Sequence, residues 1–139
     1  MPFNIIHSHK DDIQTILNGI NSYNHNHVPA LAAIWTPLEL SVKDNEGVVI
    51  GGLLGGIGSW NGFEIRILWV KEAHRGKGIG SQLLQYAENE ARQKGATIAM
   101  LDTFSFQAEA FYLKHGYKAV GEIKDFPQGH RRIYFSKLL

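Results

Sequence analysis

The chain has 139 residues, 44% of them hydrophobic and 19% charged, a balance that fits one globular domain able to bury a core. Its 14 basic residues oppose 13 acidic ones with no basic block, so the electrostatic footprint of a nucleic-acid binder is missing. It contains no cysteine, which excludes a disulfide scaffold, a cysteine-based zinc site and a cysteine nucleophile.

Residues 3–7 read as a short first strand. Residues 11–23 read as a helix with Ile13, Ile16, Leu17 and Ile20 on one face. Asp11 and Asp12 suit its first turn, and Ser8 is a candidate cap. Residues 24–37 are expected to form a loop with a short helix over 30–35. Residues 38–43 alternate like a strand, and Asp44-Asn45-Glu46-Gly47 is a hairpin turn. Residues 48–60 form the next strand, whose Gly51, Gly52, Gly55, Gly56 and Gly58 point to close backbone approach or bending. Asn61-Gly62 signals a second hairpin leading into a strand over 63–71. A helix from 77 or 78 to about 94 carries Ile79, Leu83, Leu84, Ala87 and Ala91 on one face and stops at Gly95. A strand over 97–103, a short helix over 107–115, and strands over 117–123 and 131–138 complete the chain. No repeat or linker divides it, so residues 1–139 read as one α+β domain. No apolar run approaches a membrane span. Met1-Pro2-Phe3-Asn4 lacks the basic and apolar regions of a signal peptide, so the expected location is cytoplasmic, without a membrane partner.

The segment Arg75-Gly76-Lys77-Gly78-Ile79-Gly80-Ser81 joins a strand to a helix. Glycines let a ligand lie on main-chain N–H groups, and a helix start adds free donors and positive dipole, so a phosphate is the natural guest. A Walker loop fails here, because Gly78 follows Lys77 and Lys71 stands where the first glycine belongs. A Rossmann fingerprint also fails, because Ser81 or Leu83 occupies the last glycine position. The pattern that fits is Arg75-x-x-Gly78-x-Gly80.

That pattern resembles the acyl-CoA pyrophosphate loop of the GNAT acetyltransferases. From about residue 48 onward the chain is similar to that family. Leu68-Trp69-Val70, the Arg75 loop and the long helix resemble its acyl-CoA motif, and Ala108-x-x-Phe111-Tyr112-x-Lys114-x-Gly116-Tyr117 resembles the next. The family often has Asn where this chain has Ser105. The first 45 residues match only in pattern. The resemblance implies a mixed, largely antiparallel sheet of six to seven strands with about four helices. It implies acetyl-CoA as cosubstrate, no metal, and direct transfer of the acetyl group to a primary amine of a small molecule or peptide. Family members often dimerise, so a homodimer is admitted, but no feature of the sequence identifies the interface.

The reaction sets four tasks. Main-chain N–H groups of Gly76, Lys77, Gly78, Ile79, Gly80 and Ser81 would cradle the pyrophosphate, with charge from Arg75 or Lys77. The resemblance implies that Leu68, Trp69 and Val70 pair through backbone with the pantetheine arm, that one of their N–H groups holds the oxyanion, and that Ser105 stands near that arm. An alkylamine of pKa about 10.4 lies roughly 4–5 kcal/mol from its neutral form at pH 7, so a base helps. Glu64, eleven residues before Arg75, resembles the glutamate base of histone acetyltransferases. Simple alternation puts Glu64 on one face with Arg66, Leu68 and Val70. The alternatives are an exposed glutamate paired with Arg66, and water as base. Tyr112, by resemblance, protonates the departing CoA sulfur.

His25 and His27 are weak candidates for the acceptor pocket or a metal. Trp35, Trp60 and Phe106 are candidates for an apolar acceptor wall, or for core. His130, Arg131 and Arg132 could hold an acidic group or simply flank a hairpin, and His74 and His115 are expected at exposed turns. The leading reading is an N-acetyltransferase. The alternative is a non-catalytic acyl-CoA-binding module or sensor, which would keep the Arg75 loop without needing Tyr112. Nucleic-acid binding is disfavoured by the charge balance.

Overall fold

The computed structural model describes residues 2–139. Helix α1 (Lys10–His27) precedes strands β1 (Trp35–Lys43), β2 (Val49–Gly58) and β3 (Gly62–Val70). A single 3-10 turn, Glu72–His74, leads to α2 (Ile79–Gln93), β4 (Ile98–Phe104), α3 (Glu109–Lys114), β5 (Lys118–Lys124) and β6 (Arg131–Leu138). One six-stranded sheet has the order β1-β2-β3-β4-β6-β5. Only the β3–β4 pair is parallel. This is the expected α+β class, with three α-helices among the described residues instead of about four.

The differences from expectation are concentrated at the N-terminus. Residues 3–7 form no strand and pair with neither edge of the sheet, and Phe3, Ile5 and Ile6 are exposed. The His9 N–H, not Ser8, anchors the start of α1, donating to the Asp12 carboxylate at 2.8 Å. The helix continues through the polar Asn24-His25-Asn26-His27 segment, where His27 stacks on Tyr23 and His25 bonds Ser59 at 3.0 Å. Residues 28–34 make bends and no helix. Strand β1 starts at Trp35 and includes Pro37, which an edge strand tolerates because one side of its backbone needs no partner.

Helix α2 packs across β1, β2 and β3. It buries Leu84, Ala87 and Ala91 in one core with Leu38, Leu53, Ile57, Phe63, Ile65, Leu101 and Phe135, and Leu83 is buried as well. Glu88 is also buried on this helix, and its carboxylate accepts from the Tyr117 hydroxyl and from Lys137 Nζ, both at 2.8 Å. The buried carboxylate thus has the partners that a charge in the interior requires.

Two features of β3 shape the cleft beside it. The β2–β3 register slips between Leu54 and Gly55, so Leu54 faces Ile67, Gly55 faces Ile65, and Arg66 has no opposite number. A side chain at Gly55 would collide with the Glu64 carbonyl, so glycine permits the close approach there. This bulge shifts the alternation by one residue. Phe63 and Ile65 are buried, Arg66 and Ile67 are both exposed, and Leu68 and Val70 then turn toward the α2 side. The simple alternation is therefore corrected: Glu64 shares its face with Ile67 and Trp69, not with Leu68 and Val70. Second, β3 and β4 pair only from Gly62↔Ile98 to Ile65↔Leu101 and then part.

Candidate active site

The parting of β3 from β4 opens a cleft of about 800 Å³. One wall is the free edge of β3 from Ile65 to Val70. The other is formed by Leu101, Asp102 and Thr103 of β4, with Phe106, Gln107, Ala108, Phe111, Tyr112 and Lys114 beyond them. Main-chain groups of β3 that would otherwise bond β4 face this gap, so an extended amide-bearing arm finds a half-built ladder.

The mouth of the cleft is the glycine loop. Gly76 and Gly78 have φ of +77° and +81°, and an added Cβ would meet open space at both, so the left-handed backbone itself requires glycine. Gly78 is the N-cap of α2, and no side chain caps that helix. Its first N–H groups are left for a guest, and an anion is the guest that helix dipole and donors favour. Arg75 is exposed and its Nε donates to the Val70 carbonyl at 2.8 Å, tying the loop to the end of β3. Behind the loop, Ser81 Oγ bonds His115 Nε2 at 2.9 Å, and His115 packs on Phe111. His115 is therefore half-buried and structural, contrary to the expected exposed turn.

Tyr112 is buried between Phe111, Tyr117 and Phe135. Burial, reinforced by the Asp102 carboxylate, pushes its phenol up to about 12. The phenol oxygen makes no hydrogen bond among the described residues, yet it is not sealed from solvent. A protonated donor therefore faces the cleft without a competing partner.

Leu68, Trp69, Val70, Arg75, Gly76, Gly78, Ile79, Gly80, Ser81 and Tyr112 all line this one cleft. Lys77, Ser105 and Glu64 do not line it. Ser105 instead joins β4 to β6, its hydroxyl accepting from the Arg131 N–H at 2.9 Å. Glu64 lies 3.6 Å from Arg66, with its side chain 40% exposed. Of the candidate wall aromatics only Phe106 reaches the cleft. Trp35 carries Arg66 over its ring at 4.2 Å, and Trp60 bonds the Val28 carbonyl. His130 meets Phe106 edge-on, Arg131 pairs with Glu109 and Glu122, and Arg132 pairs with Asp102 at 2.9 Å. Sequence reasoning passed over Asp102 and Gln107 as site residues, and His74, expected at an exposed turn, is half-buried and lines the cleft. The signal for Asp102 was available: a carboxylate one residue past the buried Leu101, at the end of a strand.

A sheet split between two parallel strands, with an uncapped helix start at the mouth of the split, suits a ligand with an extended amide-bearing arm and an anionic end. Residues 10–117 match the Acetyltransferase (GNAT) family, and the chain belongs to that family. It is 33% identical over 121 residues to blasticidin-S acetyltransferase of Streptomyces morookaense, covering 79% of this chain and 88% of the relative. A crystal structure of an acetyltransferase from Bacillus cereus superposes with a TM-score of 0.90 at 36% identity, covering 99% of this chain and 98% of the other. A Bacillus anthracis acetyltransferase solved with acetyl coenzyme A shares the fold, with a TM-score of 0.65 at 20% identity over 74% of this chain and 62% of the other. The protein is a GNAT-type N-acetyltransferase. Among the described residues, no helix is long and apolar enough to cross a membrane.

Proposed function

We propose that the protein transfers the acetyl group of acetyl-CoA directly to a primary amine of a small molecule. The observation that carries this reading is the uncapped start of α2 behind Gly76 and Gly78, opening into the β3–β4 split. The pyrophosphate would take the free N–H groups from Gly76 to Ser81, and the pantetheine arm would pair with the edge at Leu68, Trp69 and Val70. An N–H on that edge would hold the oxyanion, a contribution worth roughly 3–4 kcal/mol. The name of the Streptomyces relative specifies blasticidin S, which favours a small-molecule acceptor over a protein.

The amine nitrogen attacks the thioester carbon, the carbonyl π electrons move to oxygen, and their return expels sulfur. Tyr112 meets the departing sulfur. Its phenol, at about 12, is a weaker acid than a thiol of about 8.5, so it acts by hydrogen bonding and relay. A proton that passes to sulfur is replaced by one from the acylated nitrogen, and the phenol finishes neutral. Water serves as the first base in this reading, because Glu64 lies outside the residues that line the cleft, beside Arg66.

The test is an acetyl-CoA turnover screen against polyamines, amino acids, aminoglycosides and peptides, reading free thiol and product mass together. Thiol release matched by an acetylated small amine supports the proposal. Tight acetyl-CoA binding with no turnover on any amine would instead favour a sensor.

A further inference from the structure

We infer that the amine acceptor carries a carboxylate, and that the Arg66 guanidinium reads it. This rests on the acetyl-transfer reading above and names the class of acceptor. Strand β3 places Arg66 in the wall of the cleft. The backbone groups proposed for the pantetheine arm lie at Leu68, Trp69 and Val70, and the glycine loop comes after Val70. Arg66 therefore stands at the end away from the phosphates, about 7 Å along the strand before Leu68. It lies past the thioester end of the arm, where an acceptor must approach.

Two neighbouring glycines set the arginine there. Gly55 admits the Glu64 carbonyl, and the register slip beside it leaves Arg66 without an opposite residue. A bulge of this kind re-aims a side chain. Gly56 makes room for Trp35, because a side chain at Gly56 would collide with the indole. Trp35 in turn carries the Arg66 guanidinium over its ring at 4.2 Å. An arginine held over an aromatic face keeps its edge donors for another partner.

Those donors are open. Among the described residues the Arg66 side chain makes no hydrogen bond, and its ion-pair contact is Nε to Glu64 at 3.6 Å, longer than a hydrogen bond. The two side chains are 58% and 40% exposed, and such a pair holds its partners weakly. The other cations of the cleft are placed differently. Arg75 Nε donates to the Val70 carbonyl beside the glycine loop, and Lys114 ends α3 next to His115, which bonds Ser81 of that loop. Arg132, across the cleft, is paired with Asp102 at 2.9 Å. Ile67 and Trp69, beside Arg66 on β3, are exposed and would cover a short carbon chain. A carboxylate matches the guanidinium fork and can take two parallel hydrogen bonds from it. Glu64 nearby makes a second negative charge costly, which favours a carboxylate over a phosphate dianion.

Acceptors matched in length test the assignment: glycine, β-alanine and γ-aminobutyrate against ethylamine, propylamine and butylamine. For at least one matched pair the wild type should favour the amino acid at least tenfold in kcat/KM. In Arg66→Gln that ratio should fall at least tenfold, through a raised KM for the amino acid. Arg66 is exposed, so the substitution should leave the fold intact. A wild-type ratio near one for every pair, or the same ratio in both proteins, would overturn the assignment while leaving acetyl transfer in place. A dead-end complex reads the same site without turnover. With CoA bound in place of acetyl-CoA, at least one of the three amino acids should shift the Arg66 Nε–H and Trp35 indole NMR signals, and its matched amine should not. Those shifts would keep the carboxylate site even if no amine were acetylated, and their absence would overturn it.

Discussion

Helices α1 and α2 look alike in the sequence and differ entirely in the structure. Each carries an aliphatic stripe at spacings of three and four. Helix α2 buries Leu83, Leu84, Ala87 and Ala91 beneath the sheet, whereas α1 buries nothing. Periodicity states which face of a helix seeks cover, not what provides it. The two helices also differ at their starts. Helix α1 has its first turn closed by Asp12 beneath His9, and α2 opens on glycines with no side-chain cap. The packed body of α2 holds its uncapped start in place, and that start is where the proposed cosubstrate would bind.

The sharpest way to break this contrast is to fill the start of α2. Gly78→Glu puts a carboxylate and a strained left-handed residue where the anion belongs, and calorimetry should show acetyl-CoA affinity reduced at least a hundredfold. Normal affinity would move the phosphate site elsewhere. Tyr112→Phe should lower kcat by about 10²–10³-fold, with acetyl-CoA affinity within about twofold. An unchanged kcat would reduce the phenol to packing. The two helix bodies can be compared directly by urea titration. Leu84→Ala should cost about 2–5 kcal/mol, and Leu17→Ala in dilute, monomeric protein under about 1 kcal/mol. Equal costs would mean that α1 is docked after all.

Smaller effects refine the chemistry. Glu64→Gln should leave the pH–rate profile unshifted, since the carboxylate faces Arg66. A displaced profile would restore Glu64 as base. The Tyr112 phenol, at about 12, stays protonated through the working range, so kcat/KM should rise with pH as the amine deprotonates and show no tyrosine-dependent fall below about pH 10. The linked stability has a definite sign. A tyrosine whose folded pKa lies above its unfolded value binds a proton in the native state that the unfolded chain has lost, so its contribution is complete below about pH 10 and disappears as pH rises toward 12. Tyr117 is pushed the same way by burial and by Glu88. Urea midpoints should therefore decline across that window, less steeply in Tyr112→Phe.

The second half of the chain was legible because its signals are local. Glycines at Gly78, Gly95 and Gly116 bracket helices, and the Arg75 loop and the Tyr112 helix carry their own spacing. The core strands were placed within a few residues for the same reason. What escaped was non-local. The bulge at Arg66 arises from the fit of β3 against a glycine-bearing β2, and one unopposed residue moved Glu64 away from Leu68 and Val70. Ser105 reads as a ligand contact in the sequence, and its bond from the Arg131 N–H, which joins the end of β4 to β6, is visible only once Arg131 lies beside it. The polar end of α1 read as a loop, because its hydrogen bond to Ser59 comes from a hairpin tip 34 residues away.

Every catalytic step proposed above requires main-chain donors at the start of α2 to hold the diphosphate of acetyl-CoA. A two-dimensional amide NMR titration with acetyl-CoA tests that grip directly. The largest shifts are expected at Gly76, Gly78, Gly80 and Ser81, with accompanying shifts at Leu68 and Val70. Saturable binding that leaves those amides in place while others move would contradict it.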